Sequence, residues 1–99
     1  MYPKTDWRFV KFEKSHLRNK KYNAILEHKR EKGRIVKVPF GAIRDDNGIP
    51  FDQFKDSALG LYSKYDHGDK ERRKNWLARH GEYDRKYFSP LYFSTEFLW

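Results

Sequence analysis

Asp66, His67, Asp69, Asn75 and His80 bring imidazole, carboxylate and carboxamide groups together within residues 66–80. A metal-dependent nuclease uses such a set, with one His activating water and others holding a divalent ion. The spacing argues against it. A His-Asn-His finger needs a hairpin between its first His and the Asn, and only seven residues separate His67 from Asn75. A zinc site from His67, Asp69 and His80 would lack an i,i+4 His pair. Plainer roles are open to the same residues. Asp69 can cap a helix, and His80 near that helix's C-terminal end is favoured by the dipole. Asp45 and Asp46 are neighbours in a turn, so their side chains point apart. There is no glycine-rich phosphate loop, and neither Ser57 nor Ser63 sits in a nucleophile elbow. No catalytic residue, metal ligand or cofactor is expected.

The lysines and arginines carry more information. The chain has 22 Lys and Arg against 14 Asp and Glu, a formal charge of +8. Residues 1–40 hold twelve of these cations and four acids, so the excess is an N-terminal property. Two clusters dominate, one from Lys14 to Lys21 and one from Lys29 to Arg34. Such asymmetry marks a surface that meets a polyanion. Arg18, Lys20, Lys21, Lys29, Arg30, Lys32 and Arg34 are the expected phosphate contacts, acting without reading sequence. Phe9, Phe12 and Tyr22 could stack on bases, although core packing is the preferred role for all three.

The elements that must present these clusters read as α+β. Trp7-Arg8-Phe9-Val10-Lys11-Phe12, Tyr22 to Glu27, and Ile35 to Phe40 have strand character. Ser15 to Lys20 and His28 to Gly33 fall between them as turns, giving a three-stranded antiparallel meander over residues 1–40. Pro39 lacks a backbone donor and favours an edge. Residues 41–63 are irregular, with turn chemistry at Asp45-Asp46-Asn47-Gly48. Phe51, Phe54 and Leu59 are expected to pin that segment to the sheet. Residues 64–99 are helical. One helix runs from about Lys70 to His80, capped by Asp69 and stopped by Gly81. A second starts at Ser89 and Pro90 and should be largely buried. Both helices are expected to pack on the sheet.

Length suggests one domain. Eighteen aromatic side chains (eight Phe, seven Tyr, three Trp) supply the core of a chain with few aliphatic fillers. Phe97, Leu98 and Trp99 are expected to be buried. With no cysteine there is no disulfide framework and no thiolate metal site. No apolar run follows Met1, and no stretch approaches a membrane span of about 20 residues. Neither secretion nor membrane insertion is expected.

Val38-Pro39-Phe40-Gly41, Asp52-Gln53-Phe54-Lys55-Asp56, Tyr65-Asp66-His67-Gly68-Asp69, Arg72-Arg73, Ala78-Arg79-His80, Lys86-Tyr87-Phe88-Ser89-Pro90 and Leu98-Trp99 occur in that order. Over residues 20–99 this series resembles a family of small basic proteins of tailed phages and large DNA viruses, mostly uncharacterised. The stretch Gly41 to Ile49 is longer here than the family pattern. The resemblance implies a viral origin and a place in the virion, and supplies no activity to carry over. Its recurring polar residues, His67, Asp69, Arg72, Arg79 and His80, imply a buried polar network or an anion pocket, the network being preferred.

The expected function is therefore non-enzymatic: a virion-associated protein whose basic N-terminal face binds nucleic acid, DNA rather than RNA. Its location would be the virion or the host cytoplasm or nucleoid. One rival is a minor capsid or tail component whose basic face meets acidic protein surface, among capsid or tail subunits. The second rival is the small metal-dependent nuclease.

Overall fold

The computed structural model describes residues 2–80 and 82–99. Gly81, the expected helix stop, lies outside them. Element order is β1 (Tyr2–Pro3), β2 (Trp7–Lys14), β3 (Lys20–His28), β4 (Ile35–Ala42), a 3-10 turn at Ser63–Tyr65, α1 (Lys70–His80), β5 (Tyr87–Phe88) and α2 (Pro90–Phe97). Strands β2, β3 and β4 form the antiparallel meander in sequence order, and β1 pairs with β5 in a separate ribbon. The fold is α+β, and the ribbon adds to what the sequence indicates.

A bulge sets the faces of the sheet. Phe9 pairs with Leu26 but Lys11 pairs with Ile25, so Val10 is an extra residue on β2. Phe9 and Phe12 are three positions apart, which would place them on opposite faces of a regular strand. The inserted Val10 restores both rings to one face. Trp7, Phe9 and Phe12 thus join Tyr22, Ala24 and Leu26 of β3 and Val38 and Phe40 of β4. The opposite face is covered by charge. Lys37 and Glu13 pair at 3.0 Å there, and Arg8 pairs with Glu27, over the buried Asn23 and Ile25.

Helix α2 closes the aromatic face. Ser89 caps it, its hydroxyl accepting from the Tyr92 amide at 3.0 Å, and Pro90 opens the first turn. Phe93 is 1% exposed and its ring centroid lies 5.0–6.1 Å from those of Phe9, Phe12, Phe40, Phe88, Tyr92 and Phe97. Phe12 meets Phe97 edge-on at 4.8 Å. Of the final three residues Leu98 is fully buried, while Phe97 and Trp99 are half-buried.

Helix α1 departs from expectation. It has no buried residue and does not sit on the sheet. Its hold is a stack of rings: Trp76 lies 4.8 Å from Trp99 at 5° between planes, and His80 lies 3.9 Å from Trp76. The segment before it also differs. Phe51 and Leu59 are exposed, so they do not pin residues 41–63 to the sheet. Polar residues do that work.

Phe93→Ala removes the ring shared by both layers and is expected to destabilise the fold by about 3–5 kcal/mol, measured by denaturant unfolding.

Candidate nucleic-acid interface

Lys21 does not belong to the surface. It is 2% exposed, and its ammonium donates to Phe51 O at 2.6 Å and Gln53 Oε1 at 2.7 Å. The expectation that it touches phosphate is overturned by that burial. Gly41 makes room for it. Its φ of +80° is a left-handed conformation, and a Cβ there would lie 3.0 Å from Lys21 Cβ and 3.1 Å from Leu98 Cδ1.

Around Lys21 a buried polar cluster clips the irregular segment to the sheet. Gln53 Nε2 donates to Asp66 Oδ1 at 2.7 Å and to Tyr62 O at 2.9 Å. Asp66 Oδ1 also accepts from the Asp56 amide at 2.9 Å. Asp56 Oδ2 accepts from the Tyr22 hydroxyl at 2.6 Å and the Tyr62 amide at 3.1 Å. Gln53 and Asp56 appear in the sequence as ordinary polar loop residues. The only signal for them is their place in the Asp52-Gln53-Phe54-Lys55-Asp56 motif.

The five residues proposed as a network stand apart. Among the described residues, no side chain of His67, Asp69, Arg72, Arg79 or His80 bonds the side chain of another. Asp69 caps α1, its Oδ1 accepting from the Glu71 and Arg72 amides at 2.9 and 3.2 Å. His67 Nδ1 accepts from the Asp69 amide, and the ring lies against Phe54 and Trp99. Burial, then Arg72, holds its pKa below the usual 6.5, so the ring is mainly neutral at pH 7. Arg72 reaches Asp52 at 3.6 Å, Arg79 is exposed, and His80 stacks on Trp76. Among the described residues no three His, Asp or Glu side chains gather as a metal site would require.

On the surface, ion pairing sorts the cations. Each acid of residues 1–40 has one cationic partner. Asp6 pairs with Arg30 at 2.8 Å, Glu31 with Arg34 at 2.7 Å and Glu13 with Lys37 at 3.0 Å, and Glu27 pairs with Arg8. Of the expected phosphate contacts, Arg30 and Arg34 are thus compensated. Arg18, Lys20, Lys29 and Lys32 have no ion pair among the described residues, nor have Lys11 and Lys14. Lys11 lies within β2, and the other five form two groups at opposite ends of the sheet. Lys14, Arg18 and Lys20 line a groove at the β2–β3 turn together with Ile43 and Pro50. Lys29 and Lys32 lie in the β3–β4 turn. Tyr22 is buried and Phe12 half-buried, both in core ring contacts, which leaves Phe9 the most exposed of the three candidate stacking rings.

Comparison with family models, with curated proteins and with solved structures finds no match. No helix among the described residues is long and apolar enough to cross a membrane.

Three further cations escaped the sequence reading: Lys4, Arg85 and Lys86. With Lys29 they border a cleft beside the β1–β5 ribbon. Arg85 and Lys86 are neighbours in sequence, and the ribbon pairing brings Lys4 to them.

The buried cluster makes stability depend on pH. Desolvation pulls the Lys21 pKa from 10.5 down to about 8. Between those values the unfolded chain carries a proton that the folded chain lacks, so stability rises with pH. The neutral amine keeps two N–H groups for its two acceptors. Tyr22 acts oppositely, because burial and then the bond to Asp56 raise its phenol well above the usual 10.0. Above that value the unfolded chain loses a proton that the fold retains, and stability falls. The melting temperature is expected to climb from about pH 8 to about pH 10 and then drop. In Lys21→Met the climb disappears, and the two stranded acceptors cost about 1–3 kcal/mol.

Proposed function

We propose that this is a non-enzymatic viral protein, associated with the virion, that holds nucleic acid through its basic surface without reading sequence, DNA in preference to RNA. The observation that carries the reading is the ion-pair inventory. Every acid of residues 1–40 is matched by one cation, and Lys11, Lys14, Arg18, Lys20, Lys29 and Lys32 stay uncompensated among the described residues. Uncompensated charge of one sign repels itself and weakens the compact state, a cost that a polyanion removes. Five of these cations lie on turns and strand ends and Lys11 on the outer face of β2, where long side chains follow a phosphate backbone by charge alone. The viral setting rests on the ordered motifs of residues 20–99.

A second reading has its own support. Ile49, Phe51, Leu59 and Leu61 are exposed within one irregular segment, and Leu61 is 57% exposed. A capsid or tail neighbour with an acidic, partly apolar surface would cover such side chains and meet the cations. This reading gains if the purified protein ignores nucleic acid at low salt.

The test is affinity for a mixed-sequence duplex against salt. Four neutralised phosphates would weaken binding by about two orders of magnitude between 50 and 200 mM salt. Shuffling the duplex sequence should leave affinity unchanged. Replacing Lys14, Lys20, Lys29 and Lys32 by Glu should abolish measurable binding. A salt-independent affinity, or no binding of either duplex or single strand at low salt, would overturn the reading.

A further inference from the structure

We propose that the cleft beside the β1–β5 ribbon binds a single nucleic-acid strand, holding its phosphodiester backbone on Lys29, Lys86 and Lys4 while a base stacks on Tyr87. The inference rests on the nucleic-acid reading above and assigns it a site and a strand type.

The cleft measures about 460 Å³ and is bordered by Pro3, Lys4, Lys29, Arg85, Lys86 and Tyr87, with Thr5 and no acid. That is the size range of pockets for ligands of a few tens of atoms, such as one nucleotide unit. Backbone bonds fix the cations in place. The Lys4 amide donates to Lys86 O at 2.8 Å, continuing the ladder in which Pro3 faces Tyr87. The Lys29 amide donates to Asp6 O at 2.8 Å, tying the β3–β4 turn to the chain just after the ribbon.

This placement works against the ribbon's own stability. Like charges opposite one another on paired strands repel, and a two-stranded pair is weak to begin with. Here the pair is two residues long and continues into Lys4 beside Lys86. Nearby acids do not relieve the repulsion. Asp6 is taken by Arg30, and Asp84 Oδ1 accepts from the Lys86 amide at 2.9 Å. Glu96 is shared by Arg85 at 3.5 Å and the Tyr83 hydroxyl. Lys4 leans on the Tyr92 ring, 4.2 Å from its centroid, and bonds its hydroxyl at 3.1 Å. Lys29 and Lys86 have no ion pair among the described residues. A bound phosphate supplies the missing negative charge.

The rest of the cleft selects the strand. Pro3 and Tyr87 are cross-strand partners, and Tyr87 is 39% exposed, so one ring stands open next to the cations. An open ring beside a cationic track is how proteins hold single strands, whose bases offer their faces to any aromatic surface. A duplex keeps its bases stacked on each other and cannot use Tyr87.

The test measures anisotropy of labelled oligothymidylate of 20 nucleotides and of a 20-base-pair duplex with the full chain at low salt. Lys29→Glu and Lys86→Glu are each expected to weaken oligothymidylate binding about 10-fold or more, as is Tyr87→Ala. Tyr87→Ala should leave duplex affinity unchanged, and Tyr87→Phe should keep both affinities. Lys74→Glu, the same charge change on the exposed helix α1, should cost less than about 3-fold. If Lys29→Glu and Lys86→Glu weaken binding no more than Lys74→Glu, or Tyr87→Ala binds oligothymidylate like the parent, the cleft proposal is overturned and the general reading stands. If the parent protein binds neither probe, the general reading fails, and this inference with it.

Discussion

The Lys21 ammonium sits between Phe51 O and Gln53 Oε1, 2.6 and 2.7 Å away, and these bonds tie the irregular segment to the sheet while the Phe54, Lys55 and Ser57 amides tie it to the carbonyls of Phe97 and Leu98. Residues 43–62 contain no strand or helix, and several of their large apolar side chains face out. Apolar contact with the core comes from Ala58 and Tyr62. Gln53 spends its whole carboxamide inside the protein, on Lys21, Tyr62 and Asp66, and Asp56 takes the Tyr22 hydroxyl. A buried network with every member satisfied fixes one geometry, and a half-satisfied one would be worse than apolar packing. From this clip the chain reaches Asp69, which starts α1, and then the ribbon and α2.

Two kinds of packing consequently share the sheet. Its aromatic face is closed by α2 through Phe93, Phe97 and Leu98, with Phe93 at the centre of the rings. Its margins are held by polar bonds, and α1 is held by the stacked Trp76 and Trp99. The cations follow this division. Lys21 is committed to the interior, Arg8, Arg30, Arg34, Lys37, Arg72 and Arg85 to local acids, and Lys11, Lys14, Lys20, Lys29 and Lys32 have no ion pair among the described residues. One residue type thus serves architecture in one place and is free for a ligand in another.

Much of the fold was legible in the sequence because periodicity and caps are local. Tyr22, Ala24 and Leu26 alternate along β3, Asp69 and Ser89 sit where helix amides need an acceptor, and Pro90 fits a first turn. Features that depend on distant partners were not legible. The Val10 bulge shows only once β2 is paired, and the apolar Trp76 gives no hint that its contact is another ring rather than the sheet. Lys21 reads as surface because it sits in a basic run, yet Gly41 opposite it leaves the space into which it folds. Lys4 lies far in sequence from the Arg85-Lys86 pair, and the ribbon brings it there.

The division of the lysines can be read in one experiment: amine-reactive footprinting by mass spectrometry, with and without oligothymidylate. Lys21 should resist modification in both states, while Lys29, Lys86 and Lys32 should react freely alone and be shielded when the strand is present. Modification of Lys21 as fast as Lys20, or an unchanged pattern on adding the strand, would contradict the account.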